Sequence, residues 1–146
     1  MKNENTCTLK STYNSNLVEE CRKLGGKWDA AEKTWVFSDL VKDEVDALDA
    51  KYNSELVKIE VRVLYPLYGE RESVKIGGYG IARAFDRDSG AKIEPGVAFI
   101  QGQPKSGGSH KNWHTEIPRD SVFRFRVPVN CLGDLEHEDI EIKVLD

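Results

Sequence analysis

Lys58-Ile59-Glu60-Val61-Arg62-Val63-Leu64-Tyr65 decides how this chain reads, because its apolar residues recur at every second position. Side chains of an extended strand point alternately to opposite faces, so Ile59, Val61, Val63 and Tyr65 turn one way and Lys58, Glu60, Arg62 and Leu64 the other. The same period returns in Phe123, Phe125 and Val127, which alternate with Arg124 and Arg126. It returns again in Ile140, Ile142 and Val144, which alternate with Glu141 and Lys143. Three half-buried antiparallel strands are the expectation, with shorter ones at Val74 to Ile76, Ile81 to Phe85 and Val97 to Gln101 and no helix among them. Arg124 and Arg126 share the solvent side of their strand, where they either pair with Glu60 or Glu141 or form a basic strip with Arg62.

Upstream the period is different. Leu17, Val18, Cys21 and Leu24 recur at helical spacing; Asn14, Ser15 or Asn16 can cap that helix, and Gly25-Gly26 ends it. A strand within Cys7 to Thr12 precedes it. A hairpin follows, with Lys27 to Ala30 and Lys33 to Phe37 as strands that bring Trp28 and Trp35 together. Ser38 then caps a second helix whose inner stripe is Val41, Val45, Leu48 and Tyr52. The predicted class is α+β: a small strand-helix-hairpin-helix unit, residues 1–54, packed on an antiparallel β-rich sandwich or open barrel, residues 55–146. In so small a unit Trp28 and Trp35 are expected mainly as core.

The hairpin carries a resemblance. Tyr13-Asn14, Leu17-Val18, Lys27-Trp28-Asp29 and Lys33-Thr34-Trp35-Val36-Phe37 together resemble the HARP-type module of annealing helicases and of small phage and plasmid proteins. The likeness spans about residues 6–52 and includes no helicase motor. It implies a role in engaging branched or single-stranded DNA, and it draws in Tyr13, Lys27, Trp28, Lys33 and Trp35. Lys23, Lys27 and Lys33 are the residues best suited to contact phosphates.

At 146 residues, 39% hydrophobic and 32% charged, the chain can bury a core without metal or disulfide, and no apolar run reaches the length of a membrane helix. The start of the sequence lacks a secretory pattern, and the three cysteines, Cys7, Cys21 and Cys131, lack CxxC spacing, so a cytoplasmic protein with reduced thiols is expected. Twenty-one basic residues against twenty-five acidic ones do not make the footprint of a duplex-DNA binder. The acids are concentrated, with seven against three bases in residues 38–60 and six against one in residues 134–146. Asp39, Asp43, Asp46, Asp49, Glu136, Glu138 and Asp139 form an alternative surface, for a host protein with a basic face.

Eight of the twelve glycines lie between Gly77 and Gly108. Gly77-Gly78-Tyr79-Gly80 lacks the third glycine of a dinucleotide fingerprint and reads as a bulge or tight hairpin. Gly102 to Ser109 has the glycine spacing of a phosphate loop but holds Gly108 where that motif needs lysine. Lys105, Ser106, Gly107, Gly108, Ser109, His110 and Lys111 still offer cations, hydroxyls and open backbone N–H groups. They read either as a binding loop for phosphate or an acidic partner, with Trp113 as its anchor, or as solvated loop. Asp86 to Gly90 reads as a turn. His110 and His114 suit zinc only on a helix, which Gly107-Gly108 and Pro118 oppose, so neither metal nor cofactor is expected.

These readings converge on a non-enzymatic binding protein of the phage or plasmid sort that recognises nucleic acid or a nucleoprotein complex. The second expectation is an anti-CRISPR-like inhibitor of a host defence nuclease, acting through the acidic patches. A small-molecule phosphate-handling enzyme comes third, since no base and nucleophile are paired in the sequence.

Overall fold

A computed structural model describes residues 5–145. The described residues fold into two α-helices, two 3₁₀ segments and four antiparallel sheets, so the mixed α+β class holds and strands dominate. The first part runs β1 (Thr6–Leu9), α1 (Ser15–Lys23), β2 (Lys27–Asp29), β3 (Thr34–Ser38), a 3₁₀ turn (Asp39–Val41) and α2 (Lys42–Tyr52). Its strands pair in the order β1-β3-β2. Of the three possible caps the fold uses Asn14, whose Oδ1 accepts from the N–H groups of Asn16 at 2.8 Å and Leu17 at 3.1 Å. Ser38 caps the 3₁₀ turn through Leu40 N–H, so α2 proper begins only at Lys42. Leu9, Leu17, Cys21, Phe37, Val45 and Tyr52 close a first core between the sheet and the helices.

The second part holds β4 (Leu56–Val63), β5 (Leu67–Glu70), β6 (Ser73–Ile76), β7 (Tyr79–Ala84), β8 (Ala91–Ile93) and β9 (Ala98–Gln101). Then come β10 (Lys105–Gly108), β11 (Trp113–Ile117), β12 (Val122–Pro128), a 3₁₀ segment (Val129–Leu135) and β13 (Ile140–Val144). The sheets are ordered β13-β4-β12-β9, β10-β11-β5 and β6-β7-β8. Ile59, Val61, Val63, Phe123 and Val127 are fully buried in a second core, as their alternation predicts. Arg124 pairs with Glu60 at 2.9 Å, across the β12-β4 register. Tyr65 departs from its expected place: β4 ends at Val63, the N–H groups of Leu64 and Tyr65 both bond the Asp139 carbonyl, and the Tyr65 ring is exposed. The 3₁₀ segment also interrupts the strands where no helix is expected. It delivers Cys131 into the first core, which a direct β12-β13 connection could not do.

Named bonds join the two cores. Gly77 and Gly78, both at positive φ, make the tight β6-β7 turn, and a register shift follows at Val74/Lys75, so both parts of the hairpin-or-bulge expectation are met. Asn14 Nδ2 donates to the Gly77 carbonyl at 3.0 Å, and Ser15 N–H donates to that of Gly78 at 3.0 Å. Lys51 pairs with Asp134 at 2.7 Å, and Asn130 Nδ2 donates to the Ala50 carbonyl at 3.0 Å.

Three acids in and beside this joint are held neutral by burial. Burial pushes the Cys21 thiol from 9.0 up to about 11, and it also raises the Cys131 thiol and the Tyr79 hydroxyl. An acid whose pKa is raised by folding lends stability that is complete below its unfolded pKa and is lost as pH climbs toward the folded one. For Cys21 that window runs from 9.0 to about 11. The melting temperature should therefore hold up to about pH 8.5 and fall steadily above it. Differential scanning calorimetry across that range checks this; a flat profile to about pH 11 would mean the thiol is not buried as a neutral group.

Candidate functional site

Four surfaces hold the side chains able to meet a partner. The first is the hairpin of β2 and β3. Trp28 stands opposite Trp35 with ring centroids 5.5 Å apart, so the cross-strand pair forms as expected. Its burial does not. Trp35 is half-buried against the first core, whereas Trp28 is 52% exposed because β2 is an edge strand and no element lies beyond it. The expectation of two core tryptophans is corrected to one core ring and one ring stacked on it with its outer part in solvent. Lys27 and Lys33 flank Trp28 on the hairpin and are both exposed. Lys33 adopts φ +55, and Asp29 Oδ1 sets the turn by accepting from Ala31 and Glu32 N–H. Lys23, at the end of α1, is exposed and loosely paired with Glu20 at 3.4 Å.

The second surface is the Lys105 to Trp113 stretch, which is largely strand. Lys105–Gly108 pairs with β11, so only Ser109 to Asn112 form a loop, closed by Asn112 N–H on Ser109 Oγ at 3.1 Å. Lys105, His110 and Lys111 are exposed and open to a ligand. Ser106 has structural work instead, donating to the Arg87 carbonyl and accepting from Gly90 N–H, each at 2.8 Å. Those bonds hold the Asp86 to Gly90 segment, whose Asp86 carboxylate accepts from Ser89 and is thereby held below its usual pKa. Trp113 is half-buried with the Arg71 guanidinium 4.5 Å from its ring centre, so it anchors the β-hairpin. His110 lies in the loop and His114 on β11, not on a shared helix face. No cluster of three metal-ligating side chains occurs among the described residues.

The acidic alternative is also laid out on the exterior. Asp39, Asp43, Asp46 and Asp49 are exposed on α2 and the turn before it, with Asp46 paired to Lys42 at 2.8 Å. Glu136 and Glu138 are exposed and Asp139 is half-buried beside His137. The Lys51–Asp134 bridge ties the end of α2 to the start of this second acidic run.

The fourth surface was not visible in the sequence. An open cleft of about 990 Å³ lies between the first unit and the β-rich segment, with Tyr13 at its rim and Tyr79 and Phe125 among its walls. Lys75 from β6, Arg83 from β7 and Arg126 from β12 line it together with Glu72 and Glu94. Lys75 and Arg83 share one hairpin, but Arg126 and Tyr13 come from distant parts of the chain, so no local motif announces the whole set. Alternation does place Arg126 on a solvent face, the only signal available beforehand.

No family model, no curated protein and no solved structure matches this chain. No helix among the described residues is long and apolar enough to cross a membrane.

Proposed function

We propose that this protein binds single-stranded nucleic acid, or a nucleoprotein complex that presents it, and acts by binding rather than by chemistry of its own. The observation that carries this reading is the exposed half of Trp28 between Lys27 and Lys33. An aromatic ring open on one side stacks on any base, and flanking cations take the neighbouring phosphates. The resemblance of residues 6–52 to the HARP-type module points to the same class of target. Lys105, His110 and Lys111, at the far hairpin, extend the contact. On this reading the small unit packs on a sandwich or open barrel that serves as scaffold, and the setting is a cytoplasmic accessory protein of a phage or plasmid.

Fluorescence anisotropy with labelled oligothymidine tests it. Trp28→Ala should weaken binding by about 1–3 kcal/mol, which is roughly ten- to a hundredfold. With Lys23, Lys27, Lys33, Lys105 and Lys111 each neutralising one phosphate, the logarithm of affinity should fall with the logarithm of salt at a slope of about −3.5. Affinity indifferent both to Trp28→Ala and to salt would overturn the reading.

The second reading is an inhibitor of a host defence nuclease that covers a basic nucleic-acid channel with α2. It is favoured by the row of exposed carboxylates on that helix and by the bridge joining it to the second acidic run. Charge reversal separates the two. Asp43→Lys, Asp46→Lys and Asp49→Lys together should abolish capture of a basic protein partner and spare oligonucleotide binding, while Lys105→Glu with Lys111→Glu should do the opposite.

A further inference from the structure

The interunit cleft holds charges that the fold does not neutralise. Some cations elsewhere on this surface find carboxylates, as in Lys51 with Asp134 at 2.7 Å and Arg124 with Glu60 at 2.9 Å. Lys75, Arg83, Arg126, Glu72 and Glu94 line one concavity, and among the described residues none of the five is in an ion pair. The Arg83 guanidinium lies over the exposed Phe85 ring, 5.1 Å from its centroid. The rim is fixed: Tyr13 is 67% exposed, yet its neighbour Asn14 is 1% exposed and bonded to the Gly77 carbonyl of the opposite wall.

Three cations alone would suit any polyanion. The two carboxylates argue against one, because they would repel an acidic peptide; they accept hydrogen bonds from hydroxyl and amino groups instead. A tyrosine ring standing free at the rim suits a flat, stackable group. A ligand with an anionic end, a hydroxyl-bearing middle and a planar ring satisfies all three demands. We propose that this cleft binds a nucleoside phosphate, with Lys75, Arg83 and Arg126 at the phosphate, Glu72 and Glu94 at sugar or base donors, and Tyr13 against the base. Its volume of about 990 Å³ falls within the roughly 300–1,000 Å³ common to small-molecule sites. The site is separate from Trp28, which is not among the residues that line the cleft. It therefore stands or falls apart from the proposed function.

Isothermal titration calorimetry on the full chain decides it, using adenosine, AMP, ATP, inorganic pyrophosphate, and one oligonucleotide with and without a 5′-phosphate. AMP or ATP should bind while adenosine and pyrophosphate bind at least about tenfold more weakly, since each lacks one half of the recognition. A free nucleotide as the natural source predicts that the 5′-phosphate leaves oligonucleotide affinity unchanged; a strand end predicts a gain of about tenfold. Arg83→Gln with Arg126→Gln, and separately Tyr13→Ala, should each weaken nucleotide binding about tenfold, with the melting temperature unchanged because all three side chains are exposed. Trp28→Ala should leave it untouched. Absence of nucleotide binding at millimolar concentration, or binding indifferent to these cleft variants, overturns the proposal. Loss on Trp28→Ala alone would do so as well.

Discussion

Gly78→Ala is expected to melt at least about 10 °C below the parent protein, while Gly25→Ala falls by only a few degrees. Both glycines sit at positive φ, +90° and +77°, so alanine carries the same backbone penalty at each, about 1–2 kcal/mol. Their surroundings differ. A Cβ on Gly25 would meet nothing within 4 Å, whereas one on Gly78 would lie 2.2 Å from Asn14 Oδ1 and 2.8 Å from its Cγ. Asn14 would have to leave a site in which it is almost wholly buried. Its departure removes the cap on α1, about 1 kcal/mol, and strands the Gly77 carbonyl, about 1–3 kcal/mol more. Summed, Gly78→Ala costs about 4 kcal/mol, and for a chain of this size each kcal/mol moves the melting temperature by about 3 °C. Thermal unfolding followed by circular dichroism reads both variants. Equal losses would mean that the Asn14 interlock contributes little and that the two parts of the molecule merely touch.

What the sequence disclosed and what it withheld follow from the range over which each signal acts. Ile59, Val61 and Val63 are legible as one strand face because burial on one side and water on the other write an alternation into consecutive residues. The α1 stripe and its glycine stop are legible for the same reason. Lys105–Gly108 is not, since its strand character comes from β11, which supplies the partner for a polar, glycine-rich edge. No residue inside the segment records that pairing. Trp28 was placed correctly opposite Trp35 by local spacing, but its exposure depends on whether anything lies beyond β2, a property of the whole sheet. The cleft is the extreme case: Lys75 and Arg83 share the β6-β7 hairpin, but Arg126 of β12, in a different sheet, joins them only through the packing of the whole fold. Charge runs in the sequence therefore mark α2 and the Lys105 hairpin, whose charged side chains are exposed, and not the concave surface.

Phe123→Ala should remove about 3–5 kcal/mol, a large share of the roughly 5–15 kcal/mol that holds a domain together. The ring is fully buried, with centroids 5.1 Å from Phe99 and 6.1 Å from Phe125, and it spans the seam where β12 meets β4 and β9. Its loss leaves a cavity that two other rings border and that the paired strands on either side prevent from collapsing. The more informative expectation concerns where the damage is felt. Cys131 follows β12 in the chain and completes the first core, and the Asn14, Lys51 and Asn130 bonds cross the same joint. Destabilising the second core should therefore lower the unfolding midpoint of the first by the same amount. Trp28 and Trp35 report on that first core, and replacing Trp113 with Phe leaves them as the only tryptophans. In that background, Phe123→Ala should shift the tryptophan-detected midpoint and the far-ultraviolet midpoint together by roughly 10 °C. A tryptophan signal that melts unchanged while the β-sheet signal moves would show two independently folding units. The boundary expected near residue 54 would then divide stability as well as pattern.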